Sequence, residues 1–182
     1  MNTKSTDPLR YIAGYAPELK TQVQAMIDKQ TLTAYLAKKY PESHNIANDK
    51  ALRAYVMELK NEYMKKSASL SKVAFDNKIH VVNNALGLHS YVSRIQGGKT
   101  KSNNEIRIGA VFKKAPAAFL EMIVVHELAH LKEKDHNKAF YQLCQHMLPD
   151  YHQLEFDMRL YLVQLELSVK SVPLAKNVPN IT

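Results

Sequence analysis

The apolar residues Leu19, Val23, Ile27, Leu32, Tyr35 and Leu36 recur every three or four positions. That spacing predicts one amphipathic helix over 17–39, with Pro41 just past its end. A second helix is predicted over about 49–66, where Leu52, Tyr55, Val56, Leu59 and Tyr63 share a face and Asn48 and Asp49 suit its start. The period then shortens to two. Val73 and Phe75 alternate with polar neighbours, Asp76-Asn77-Lys78 supplies turn residues, and Ile79 and Val81 resume the alternation, which predicts a hairpin. Residues 91–95 read as a further strand and 97–104 as a Gly-rich basic loop. Ile106, Ile108, Ala110 and Phe112 alternate as a last strand.

A helical period returns at Pro116, which suits a first helical position, and continues to about Lys132, with Lys132 and Lys134 favourable near the C-terminal end. Phe119, Leu120, Met122, Ile123, Val124, Val125, Leu128, Ala129 and Leu131 make this helix apolar nearly all round, so it belongs at the centre of the core. Asp135 is expected to cap another helix, with Phe140, Leu143, Cys144 and Met147 on one face and Pro149 as its stop. Leu154, Met158, Tyr161 and Leu165 mark a last helix. The expectation is an α+β fold in one domain over 1–170. Its parts are a helical portion over 17–66, a small antiparallel or mixed sheet over 72–112, a central helix over 116–134 and C-terminal helices over 136–168, followed by a loose tail at 171–182.

With 182 residues and a single cysteine, Cys144, the chain suits one conventional core without internal disulfides, as expected in a reducing cytoplasm. No apolar run resembles a signal peptide or a membrane span. The formal charge of +8 favours polyanionic partners, but the basic residues are spread along the chain, as on an ordinary solvated surface. No feature specifies an oligomeric state.

His126 and His130 stand four apart on the apolar helix, so both imidazoles leave one face and can share a metal ion. Glu127, one position on, is rotated by about 100° and can serve as general base to a water without itself ligating. Burying two histidines and a glutamate in such a helix is costly unless they coordinate or hydrogen-bond. A catalytic zinc usually takes three protein ligands. His136 is the expected third, with Glu133 and Asp135 as competitors, and zinc is the default ion although another divalent metal fits the same donors.

The His-Glu-x-x-His-x-x-x-x-x-His spacing equals that of the metzincin peptidases, but Glu133 stands where they require glycine. The runs His126-Glu127-Leu128-Ala129-His130-Leu131 and His136-Asn137-Lys138-Ala139-Phe140 instead resemble the YgjP-like metal-dependent hydrolases, relatives of the WLM and SprT-like zincins. The Ser93-Arg94 pair and the Pro149-Asp150-Tyr151 run extend the likeness. The resemblance implies a zincin-like sheet packed on the active-site helix, His126, His130 and His136 as ligands, and Glu127 as base. Many relatives carry Trp-Gly-Ser where this chain has Ile95-Gln96-Gly97.

These features lead to a metallopeptidase-like hydrolase as the first expectation, acting on a peptide, with Tyr141 or His146 as candidate oxyanion donors. The alternative, also implied by the resemblance, is a UTP pyrophosphatase releasing UMP and diphosphate. Arg94, Lys99, Lys101 and Arg107 around the Gly97-Gly98 loop would then hold the phosphates. A nucleic-acid module with structural zinc ranks last, because closed structural sites use four ligands, commonly cysteines.

Overall fold

The computed structural model describes residues 7–79, 87–96 and 99–170, with the backbone alone for 87–96, 99–103 and 170. Its helices are α1 (Pro17–Asp28), α2 (Leu32–Lys39), α3 (Asp49–Tyr63), α4 (Ala117–Ala129), α5 (Lys138–Met147) and α6 (Tyr151–Lys170). The strands are β1 (Leu70–Asp76), β2 (Gly87–Gln96) and β3 (Lys99–Gly109). Contacts divide the chain into two compact units, one formed by 1–37 with 157–182 and the other by 38–156, so α2 and α6 contribute residues to both. The expected tail at 171–182, the Gly97-Gly98 turn and Val81 lie outside the described residues.

In the first unit, the single helix expected over 17–39 is two. Gln30 adopts φ 55° between α1 and α2, Thr31 N–H donates to Met26 O at 2.9 Å, and Gln30 N–H donates to Ile27 O at 2.9 Å. This paired closure ends a helix with a left-handed residue, a conformation usually given to glycine. Periodicity cannot see the break, because Val23, Leu32 and Leu36 are buried on both sides of it. Arg10 fastens the short 3-10 helix Pro8–Ile12 in this unit, with Nη1 donating to Glu166 Oε1 at 2.8 Å and Nη2 donating to Tyr11 Oη at 2.9 Å.

The second unit holds a three-stranded mixed sheet in the order β1-β3-β2. β2 and β3 pair antiparallel, while β1 pairs parallel to β3 with Val73 opposite Ile106 and Phe75 opposite Ile108. Of the hairpin expected across Asp76–Lys78, Asp76 Oδ1 accepts from Lys78 N–H at 2.7 Å and turns the chain, Ile79 is outside any strand, and Val81 lies outside the described residues; among those described, β1 pairs with β3. Two further boundaries move: 99–104 is strand rather than loop, and Ala110 and Phe112 fall in a 3-10 helix, Ala110–Lys114, after β3 ends at Gly109.

α3 starts as expected at Asn48, whose side chain accepts from Ala51 N–H. Asp49 Oδ1 accepts from Phe75 N–H at 2.9 Å, which ties this helix to β1. α4 packs against α3, α5, β2 and β3. Phe119, Val124, Val125, Leu128 and Ala129 are 0 % exposed, so the all-round apolar pattern did mark the centre of this unit. His44 pins the segment before α3, accepting from Ile46 N–H at Nδ1 and lying 3.0 Å from Phe112 O through Nε2.

Candidate metal centre

α4 ends at Ala129, yet His130 keeps helical dihedrals at φ −63° and ψ −15°, so the four-residue spacing from His126 is preserved and the two ring centroids lie 5.0 Å apart. The chain then turns back. Lys132 and Glu133 N–H groups both donate to Ala129 O, and Asn137 N–H donates to Asp135 O at 2.7 Å. Asn137, not Asp135 as expected, caps α5 by accepting from Phe140 N–H at 2.9 Å. His136 sits just before that cap, and its ring centroid is 4.9 Å from those of both His126 and His130.

One nitrogen from each of the three histidines lies within 4.8 Å of the others, the one such group of three or more potential ligands among the described residues. Glu133 and Asp135 are not in it. His126 Nε2 and His136 Nε2 are 3.1 Å apart. Two nitrogens bound tetrahedrally at 2.0–2.1 Å would be separated by about 3.4 Å, so this pair is spaced for one small divalent ion. Phe140 floors the cluster, with its ring centroid 5.0, 4.6 and 4.8 Å from those of His126, His130 and His136.

The other ring nitrogens are held from behind. His130 Nδ1 lies 2.9 Å from Glu133 O, and a carbonyl only accepts, so Nδ1 carries the proton and Nε2 is left with a lone pair. Burial lowers the His130 pKa, which favours the neutral, ligating form. His126 Nδ1 lies 2.6 Å from the hydroxyl of Tyr151, a side chain that is 0 % exposed. Such outer partners fix the ring orientation of metal-binding histidines.

Glu127 is 2 % exposed, its Oε2 meets no hydrogen-bond partner among the described residues, and burial pushes its carboxyl up to about 8. A buried acid with an open oxygen, next in sequence to one of the convergent imidazoles, fits a centre that holds a cation and handles a proton. A divalent charge nearby would oppose the effect of burial and favour the carboxylate.

The other sequence-derived candidates separate. Tyr141 is near the cluster, its ring 6.4 Å from that of His136 and 5.2 Å from that of His152. His146 instead meets Tyr63 edge-on at 6.0 Å. Arg94 stands opposite Lys101 and Gln96 opposite Lys99 in the β2/β3 ladder, so the backbone register puts Arg94, Lys99 and Lys101 at neighbouring positions. Arg107 is committed elsewhere, 3.3 Å from Asp76 Oδ2 and 3.3 Å from Glu105 Oε2. Sequence reasoning missed the roles of Tyr151 and Phe140 in framing the cluster. The signal for Phe140 was its four-residue spacing after His136, and for Tyr151 its place two residues after the Pro149 stop.

Among the described residues, no helix is long and apolar enough to cross a membrane. The YgjP-like, metallopeptidase domain family matches residues 2–160. The chain is also 57% identical over 164 residues to a UTP pyrophosphatase of Escherichia coli (strain K12), an alignment covering 90% of this chain and 98% of that relative. No solved structure matches.

Proposed function

Because this chain belongs to the YgjP-like family of metallopeptidase domains and is a hydrolase, we propose that its reaction is the hydrolysis of UTP to UMP and diphosphate in the cytoplasm, with zinc as the ion. The observation that carries this reading is the 57% identity, over nearly the whole of both chains, to a protein named for that activity. The peptide reading favoured by the motif alone gives way to it, since the same donors and base can serve either bond.

His126, His130 and His136 would hold the ion, whose chemistry is to acidify a water and withdraw charge from a phosphoryl oxygen. Glu127 takes a proton from the attacking water. The water oxygen bonds to the α-phosphorus, the bridge between α- and β-phosphorus breaks, and diphosphate leaves with the bridging oxygen. Arg94, Lys99 and Lys101, gathered in the β2/β3 ladder, would neutralise the departing charge. Tyr141, whose ring tilts 36° from that of His152, offers an aromatic surface beside His136 for the base.

The test is turnover by the zinc-loaded protein and its Glu127→Gln variant on UTP, the other nucleoside triphosphates and a mixed peptide library. Diphosphate release from UTP that is lost in the variant supports the proposal. Peptide cleavage lost in the variant, with UTP untouched, replaces it with the peptidase, and salt-sensitive nucleic-acid binding without any turnover would favour a structural zinc module.

A further inference from the structure

Tyr151 opens α6 directly after the Leu148-Pro149-Asp150 turn, with its N–H donating to Leu148 O at 2.9 Å. That turn follows from the end of α5, where Leu148 N–H donates to Cys144 O at 2.8 Å, so Cys144 and Tyr151 are brought together by one short reversal. Both side chains are 0 % exposed. A phenol hydroxyl so deeply buried needs an acceptor for its proton and a donor for its lone pair. The tyrosine ring lies nearly parallel to that of His126, tilted by 20°, which puts the hydroxyl close to the imidazole plane where an N–H or a lone pair points.

We infer that Tyr151 is a positioning residue. Its hydroxyl accepts a hydrogen bond from His126 Nδ1–H across 2.6 Å and donates one to Cys144 Sγ, which locks His126 in the tautomer with a bare Nε2 facing His136. The inference rests on the metal-site reading of the triad and deepens it.

The chain of donors runs in one direction for a reason. Were the hydroxyl to donate to Nδ1, the proton of neutral His126 would move to Nε2, 3.1 Å from His136 Nε2, and His126 could not ligate. The sulfur prevents this by accepting a hydrogen bond from the hydroxyl. The two side chains are hydrogen-bonded to each other, and a phenol that accepts from His126 Nδ1–H has its own proton left to offer to Sγ. Cys144 thus has a use that neither disulfide formation nor nucleophilic chemistry supplies. It is the acceptor that keeps a tyrosine facing the correct way.

The test compares wild type with Tyr151→Phe, which keeps the ring and removes only the oxygen. Long-range proton–nitrogen NMR on the metal-free, nitrogen-15-labelled proteins reads the tautomer of His126, and competition with a chromophoric chelator reads zinc affinity. Wild type should show the proton on Nδ1. Tyr151→Phe should move it to Nε2 in a substantial fraction of molecules and weaken zinc binding by roughly 10–100-fold. Unchanged protonation, with zinc affinity within about twofold of wild type, overturns the inference. If Tyr151→Phe does not fold by circular dichroism, Cys144→Ala is the second variant. It leaves the phenol without its acceptor and should shift the tautomer the same way, whereas Cys144→Ser, which still accepts, should not. Equal tautomers in the alanine and serine variants also overturn it. Zinc uptake absent from wild type would sink the metal-site reading separately, since the tautomer is read without metal.

Discussion

The Nε2 atoms of His126 and His136 approach to 3.1 Å although ten residues and the end of a helix separate them in the chain. Two neutral imidazoles at this distance share at most one N–H···N hydrogen bond, whereas a shared cation would make both nitrogens ligands. His136→Ala should therefore lose more zinc affinity than the roughly 10–100-fold typical of an outer partner. Because His136 is exposed and precedes the α5 cap, the variant should keep the wild-type far-ultraviolet dichroism. Equilibrium dialysis with metal analysis checks this, and unchanged stoichiometry and affinity would remove His136 from the centre.

Glu127→Gln separates chemistry from binding. The amide has the shape of the acid but cannot take a proton, so turnover should fall by about 10²–10⁴-fold. Zinc stoichiometry should stay at the wild-type value, because the glutamate is not among the three convergent donors. The metal-free variant should melt within a few degrees of wild type, since a buried Oε2 without a hydrogen-bond partner among the described residues contributes no bond to lose. A variant that keeps turnover would contradict the role given to this residue.

Cys144 gives the clearest dependence on pH. Burial is the main cause that pushes its thiol from 9.0 up to about 12, so between those values the unfolded chain ionises while the folded one does not. Its contribution to stability is full below pH 9 and falls as pH rises toward 12. Urea midpoints taken across that window should fall less steeply in Cys144→Ala than in wild type. At pH 8, native Cys144 should react with a disulfide reagent at least about 100-fold more slowly than the urea-unfolded chain. Equal rates would mean that the thiol is open to solvent.

Gln30 offers a prediction free of any assumption about function. A side chain at φ 55° crowds its own backbone, a cost of about 1 kcal/mol that glycine does not bear. Gln30 is exposed, so Gln30→Gly loses no burial and should raise the melting temperature by about 2–4 °C. A lower melting temperature would show that the left-handed turn is not the conformation held in solution.

The same residue shows where sequence reading stops. α4 was legible because a helix that is apolar all round has only one place to go, and His126, Glu127 and His130 stood out against that background. The break at Gln30 was invisible because neither glycine nor proline marks it. Asp135 and Asn137 are both good caps by type, and only the path of the turn after Ala129 makes Asn137 the one that reaches Phe140 N–H. The parallel pairing of β1 was equally hidden. Alternation at Val73 and Phe75 says that a strand has two faces, not which strand lies beside it, and the partner Ile106 belongs to β3, which follows β2 in the chain. Tyr151 escaped because its bond to His126 depends on the length of α5 and the reversal at Pro149 together.

The sheet order β1-β3-β2 puts the strand made last between the two made first. As the chain is synthesised, β1 and β2 have no partner in this arrangement until residues 99–109 follow them, and α4 with its histidines comes later still. A nascent chain halted before Lys99 thus carries two strands with open edges, the condition that invites pairing with neighbouring chains. The three histidines that would hold an ion are likewise made after all three strands, so a chain halted before α4 has the sheet's strands without its candidate metal centre.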